Sequence, residues 1–238
     1  MLYLIGLGLN ESGISKEGLT ALSKCKKVYL ENYTVDFPYT EHQLEEMIGK
    51  RVSLASREKV ENLSLIDEAE KLNIALLVYG SPLSATTHIT LINECRASGI
   101  KYRIIHGASI FDAIAETGLQ MYKFGKTASM PKWQKNFKPE SFIEIVKENQ
   151  SINAHSLVLV DIGLEFKNAF EQLKISAKNQ DVQLSDLVIC QSLGTKNKKI
   201  LYRELDELDK FSGVIKPYCI IIPSKLHFLE KETLDRFR

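Results

Sequence analysis

The chain opens on LYLIGLGL, an unbroken apolar run that stops at glycines. A run this short, without alternation, predicts a strand buried on both faces. Leu19 and Leu22 then recur at helical spacing, with Lys16 and Glu17 on the outer side. Residues 28–30 give a second strand. Thr40, followed three residues later by Gln43, forms a capping box. It opens a helix whose apolar side is Leu44, Met47 and Ile48. A short strand at 52–54 and a helix from Ser64 through Leu72 come before IALLVY at 74–79, the clearest central strand of the first half. Gly80-Ser81-Pro82 ends that strand. Residues 86–98 predict a helix closed by Gly99, and 102–105 predict another strand. Strands and helices alternate across residues 1–105, which implies a mainly parallel sheet with helices on both faces.

The pattern changes after residue 105. Residues 106–139 mix glycines, lysines and aromatics with no clean period. Pro139 suits the first turn of a helix running to Asn149. A strand follows at 157–161 and a helix near 165–178. Further strands are expected at 187–190, 200–203 and 218–222, and a last helix after Pro223. Short links between these strands imply a mixed sheet. The reading is therefore two α/β domains, 1–110 with a mainly parallel sheet and 111–238 with a mixed one.

Composition narrows the class. Lys and Arg exceed Asp and Glu by only one in 238 residues, so the basic excess of a nucleic-acid binder is absent and polybasic membrane adhesion has no support. No apolar window reaches the length of a membrane span, and the N-terminus lacks the basic region of a signal peptide. The four cysteines, Cys25, Cys95, Cys190 and Cys219, are scattered with no CxxC. They read as buried thiols in a reducing cytoplasm.

Several motifs fail on inspection. Gly6-Leu7-Gly8 is a G-x-G at a strand end, but Glu11 stands where the dinucleotide fingerprint needs glycine or alanine. Glu31 after the second strand keeps a ribose-binding reading open. Gly125-Lys126-Thr127 resembles the end of a P-loop, yet Gln120 replaces its first glycine. None of the five histidines has metal-ligand spacing, so no metal site is expected. No G-x-S-x-G elbow occurs. What remains is three loops rich in small residues and hydroxyls: YGSPLSATTH at 79–88, HGASI at 106–110 and TGLQMYKFGK at 117–126. The first two carry no Lys or Arg, which disfavours polyphosphate and suits a cationic ligand such as a sulfonium.

These loops, with LYLIGLGL at the start, LVLVDI at 157–162 and PSKLH at 223–227, resemble the diphthine synthase family. That family lies within the tetrapyrrole-methylase-like S-adenosylmethionine methyltransferases. The resemblance implies methyl transfer from S-adenosylmethionine to the amino group of the 3-carboxy-3-aminopropyl-histidine of translation elongation factor 2, by a cytoplasmic homodimer. It gives the cofactor to a cleft between the two domains, touching Leu9, Ser81, Ser84, Ser109, Ile110, Val160, Leu193 and Tyr218. The short chain looks like the archaeal form, which makes the trimethylated product. Ser81 departs from the family's Gly-Asp-Pro, and Tyr218 stands where related proteins can carry histidine. Residues 122–138, with Lys132, Lys135 and Lys138 around aromatics, are expected to help dock the elongation factor. No residue is assigned as general base. Two other functions stay open on the sequence: a tetrapyrrole methyltransferase of the same fold, and a non-catalytic module that binds an adenosine ligand.

Overall fold

The computed structural model describes residues 1–238 and divides into two units, Met1–Asp112 and Ala113–Arg238. The strands of the first unit are β1 (Leu2–Gly6), β2 (Lys27–Glu31), β3 (Ser53–Ala55), β4 (Ile74–Val78) and β5 (Tyr102–Ile105). They form one sheet in the order β3-β2-β4-β1-β5, with every pair parallel. The connecting helices are α1 (Lys16–Ser23), α2 (Glu41–Ile48), α3 (Arg57–Glu61), α4 (Ser64–Lys71) and α5 (Ile89–Ala97), and the short α6 (Ile110–Ala113) follows β5.

Successive residues of a strand point to opposite faces, so β1 and β4 serve two cores. Leu2, Leu4, Ile74, Leu76 and Val78 pack with Leu65 and Ile66 of α4 and Leu91 and Ile92 of α5. Tyr3, Ile5, Ala75 and Leu77 pack with Leu22 of α1 and Leu44 of α2. Double-sided burial is why these strands read as unbroken apolar runs. The capping box at Thr40 and Gln43 forms as read, and Gly49 closes α2 in the left-handed region. One boundary differs. α5 starts at Ile89 rather than Thr86, because the Thr86 hydroxyl donates back to the Pro82 carbonyl at 2.8 Å and Ala85 turns left-handed at φ 56°. The loop after β4 is longer for it.

The second unit holds β6 (Ala128–Met130), β7 (Ser156–Val160), β8 (Asp186–Gln191), β9 (Lys199–Glu204) and β10 (Tyr218–Ile222), in the order β6-β7-β10-β8-β9. Only β6 and β7 run parallel; the other pairs are antiparallel. Its helices are α7 (Ser141–Ser151), α8 (Phe166–Asn179), α9 (Leu205–Asp209) and α10 (Phe228–Leu234). Val158, Ile189 and Ile220 of the sheet meet Phe142, Val146, Phe170, Leu173 and Leu208 in one core. No helix in the chain is long and apolar enough to cross a membrane.

Candidate active site

At the carboxyl ends of β1, β4 and β5 the backbone is packed directly on backbone. Gly8 and Gly80 exchange hydrogen bonds: Gly8 N donates to Gly80 O at 3.2 Å and Gly80 N donates to Gly8 O at 2.9 Å. A Cβ on Gly6 would stand 2.6 Å from both Gly107 N and Gly80 O, and a Cβ on Gly107 would stand 2.6 Å from Gly80 O and 2.7 Å from Gly8 N. Real side chains do not survive such approaches. Gly8 and Gly80 also sit at φ 69° and 72°, where glycine alone is unstrained. Three segments far apart in sequence thus meet as one cradle, at the strand ends where open α/β sheets hold ligands.

The expected cofactor residues of this unit line that cradle's loops. Leu9 is buried, and its carbonyl accepts a 3.0 Å hydrogen bond from the Tyr79 hydroxyl. Tyr79 is the last residue before Gly80, so its side chain ties the first turn to the second. Ser81 lies half-buried, and its Oγ stands 3.5 Å from Nδ1 of His106, the first residue after β5. Ser84 N donates to Ser81 O at 3.0 Å. Ser109 is buried, with its backbone N and Oγ both donating to one Asp112 oxygen at 2.7 and 2.9 Å. Ile110, half-buried, begins α6. Tyr79 and His106 are the residues that sequence reasoning missed. Their only signal was position, as the first residues of two of the loops already singled out.

In the second unit the three expected residues share one end of the sheet. Tyr218 opens β10. The register that pairs Cys219 with Leu159 sets Tyr218 beside Val160, the last residue of β7. On its other side Tyr218 pairs with Gln191, the last residue of β8. Leu193, buried, follows two residues later. The Tyr218 hydroxyl donates to Leu164 O at 3.0 Å, and its ring meets Phe166 edge-on at 5.7 Å. That phenol is therefore occupied within its own unit.

The remaining signature segments are joined by one buried carboxylate. Glu230 is fully buried. It accepts from Gln120 N at 2.9 Å, from His227 N at 2.7 Å and from the Lys123 ammonium. His155, also fully buried, lies 3.1 Å from it through Nε2. Because Nδ1 of His155 accepts from Ser224 N at 2.9 Å, the ring proton sits on Nε2 and is donated to Glu230. Burial opposes the carboxylate's charge, but the four donors outweigh it and hold its pKa down at about 2. Burial keeps His155 neutral by lowering its pKa. TGLQMYKFGK and PSKLH are thus two ends of one polar clamp inside the second unit.

Two expectations change. Glu31 does not wait for a ribose: it is fully buried and accepts from Tyr33 N at 3.1 Å and Thr34 Oγ1 at 2.8 Å within its own loop. Lys123 is committed to Glu230 rather than to a partner surface. Farther along the expected docking segment, Tyr122 and Phe137 are exposed by 82% and 58%. Trp133 is held by its Nε1 to Pro139 O at 3.0 Å, and the Lys138 ammonium stands 5.5 Å from the Trp133 ring centre.

The sequence profile of the Tetrapyrrole (Corrin/Porphyrin) Methylases matches residues 1–209, and the chain belongs to that family of methyltransferases, whose members use a donor of the S-adenosylmethionine type. Its relatives within the family are the diphthine synthases. The Methanocaldococcus jannaschii protein named diphthine synthase is 36% identical over 98% of this chain and 97% of its own length. The Schizosaccharomyces pombe protein named diphthine methyl ester synthase is 46% identical over 168 residues, 69% of this chain, and that match spans 59% of the yeast protein. A solved diphthine synthase structure superposes with a TM-score of 0.90 at 33% identity, covering 99% of this chain and 95% of the other.

Proposed function

We propose that this chain transfers methyl groups from S-adenosylmethionine to the amino group of the 3-carboxy-3-aminopropyl side chain on the modified histidine of translation elongation factor 2, in diphthamide biosynthesis. The observation that carries the reading is the glycine cradle at the ends of β1, β4 and β5, found in a chain whose full-length relatives are diphthine synthases. A homodimer in the cytoplasm belongs to the same reading.

The residues present fit the donor. A cradle without Cβ atoms lets main-chain groups reach a nucleoside-sized ligand, and the loops after β4 and β5 carry no Lys or Arg to repel a sulfonium. Leu9, Ser81, Ser84, Ser109 and Ile110 would hold it from the first unit, and Val160, Leu193 and Tyr218 are assigned to it from the second. When bound, it supplies an activated methyl group open to in-line displacement. The protein's part is then positioning. Tyr79 fixes Leu9, Asp112 fixes Ser109, and the Gly8–Gly80 bridge sets the spacing between the turns. The attacking amine must be neutral, and an apolar wall helps by lowering its pKa.

We read the product from the relatives' names rather than from chain length. The yeast protein, at 46% identity, is named for a methyl ester and the archaeal one, at 36%, is not. We take the ester as a second methylation product, on the carboxylate of the same side chain. Mass spectrometry of precursor-bearing elongation factor 2 after incubation with S-adenosylmethionine tests both readings. Methyl increments on the modified histidine support the activity, and one that mild alkali removes marks the ester. An unmodified factor would end the proposal.

A further inference from the structure

The loop between β2 and α2, residues 32–40, crosses the carboxyl edge of the first sheet beside the glycine cradle. Phe37 and Tyr39 of this loop gather against Tyr79. Phe37 lies 5.3 Å from each of the other two rings, edge-on, and Tyr39 lies 6.4 Å from Tyr79. Tyr79 in turn holds Leu9 through its hydroxyl. The Tyr39 side chain is 92% buried, being 8% exposed, and its hydroxyl has no hydrogen-bond partner. An unpaired buried hydroxyl works against stability, and a group kept at such a cost next to a binding cradle calls for a ligand.

Electrostatics says which ligand. Across the loops that follow β1, β2, β4 and β5, residues 7–15, 32–40, 79–88 and 106–109, the only Asp, Glu, Lys or Arg residues are Glu11 and Asp36. These segments therefore set Glu11 among aromatic faces and hold no Lys or Arg, and Arg57, just after β3, lies instead over the Tyr33 ring on the opposite core. Glu11 lies two residues beyond Leu9, on the turn that the Tyr79 hydroxyl holds, and it joins burial and Tyr79 in raising the pKa of the Tyr39 phenol. Aromatic rings with a nearby carboxylate are the chemistry that recognises alkylammonium groups.

We propose that Phe37, Tyr39 and Tyr79, with Glu11, form the seat for the acceptor's amino group as it becomes an alkylammonium. This rests on the methyltransferase reading above and assigns the acceptor half of the same site. The Tyr39 oxygen accepts from the amine, the rings face the growing methyl shell, and Glu11 balances its charge. Because the Tyr39 hydroxyl is shielded from solvent, the loop must shift to admit the group.

The test uses the intact enzyme and two probes. Tetramethylammonium, titrated against an equal concentration of sodium chloride, should shift the Tyr39 and Tyr79 resonances in NMR spectra and should inhibit in competition with precursor-bearing elongation factor 2, not with S-adenosylmethionine. Tyr39→Leu and Glu11→Gln should each raise the KM for the factor by about tenfold and leave calorimetric affinity for S-adenosylhomocysteine unchanged. Tyr39→Phe should keep tetramethylammonium binding and raise KM less, while its Tm stays equal or rises, because an unpaired hydroxyl has been removed. Tyr33→Phe is the control. Tyr33 bears the loop's other unpaired buried hydroxyl, but it packs into the opposite core under Arg57, and its KM should not move. The proposal falls if tetramethylammonium shifts neither tyrosine, if S-adenosylhomocysteine affinity drops in place of acceptor KM, or if Tyr33→Phe matches Tyr39→Phe. A wild-type enzyme that methylates nothing would overturn the parent reading alone, since the NMR titration does not depend on turnover.

Discussion

Gly6 and Gly107 stand where a single methyl group would meet backbone at 2.6 Å. Backbone cannot yield as a flexible side chain can, so Gly6→Ala or Gly107→Ala must push two strand ends apart. Overpacking of this kind costs about 1–3 kcal/mol. We expect a lowered urea midpoint with unchanged slope, and a larger proportional loss of S-adenosylhomocysteine affinity measured by calorimetry. Ser81 allows the opposite experiment. Its hydroxyl stands at the limit of hydrogen bonding from His106, and the family's aspartate would place a charge there. Charge-assisted hydrogen bonds exceed neutral ones by roughly 1 kcal/mol. Ser81→Asp should therefore tighten S-adenosylhomocysteine binding several-fold, with the gain fading as pH falls through the carboxylate range. Unchanged binding across that series would show that serine and His106 already meet the ligand's needs.

At the scale of elements, the Glu230 clamp joins α10 to β7 and to the segment before β6. Glu230→Gln removes the charge that faces the Lys123 ammonium and turns one of two acceptor oxygens into a donor, so either the Gln120 N and His155 Nε2 pair or the His227 N and Lys123 pair loses its acceptor. Breaking one side of a buried pair costs about 3–5 kcal/mol, so Glu230→Gln should unfold at clearly lower urea. The pH dependence follows from the direction of the shift. Glu230 drops from the ordinary carboxylate pKa of 4.5 to about 2 on folding, so its contribution is complete above pH 4.5 and is lost as pH falls toward 2. The full shift corresponds to about 3 kcal/mol. His155 acts in the same direction. It folds as the neutral ring with a lowered pKa, so its share is present above its ordinary pKa of 6.5 and declines below it. Wild-type stability should thus fall on acidification, more steeply than that of Glu230→Gln. Parallel pH curves for the two proteins would remove Glu230 as the cause.

For the whole molecule, a net charge of +1 makes long-range attraction of an acidic partner weak, so any steering must come from local clusters. Lys123 and Lys126 are taken up by Glu230 and Glu148. That leaves Lys132, Lys135 and Lys138 without an ion-pair partner, Lys138 lying over the Trp133 ring, in a segment that also exposes Tyr122 and Phe137. Replacing the three by alanine should slow modification of elongation factor 2 and flatten its dependence on salt, because rim charges act through screened attraction. Donor affinity should hold. Equal rates for variant and wild type across a salt series would return residues 122–138 to a plain solvated surface.

Much of the architecture is written locally. Hydrophobic runs at 2–6 and 74–78, the Thr40 capping box, the glycines that end helices and the change of pattern after residue 105 all report on neighbours a few residues away, so two α/β units could be read from the chain. Within the site, the small-residue loops were visible because glycine, serine and proline at strand ends have few other uses. Features that depend on distant partners were not legible. β6 hides in a segment without a period because its place is set by pairing with β7. Thr86 looks like a helix cap, and only its bond to Pro82 makes it a loop residue. Lys123 looks like a surface cation until Glu230, 107 residues later, buries its charge. The cradle itself is a tertiary fact. Periodicity records which side of an element faces the core, but it carries no register between elements, and only register brings Gly6, Gly8, Gly80 and Gly107 within contact of one another.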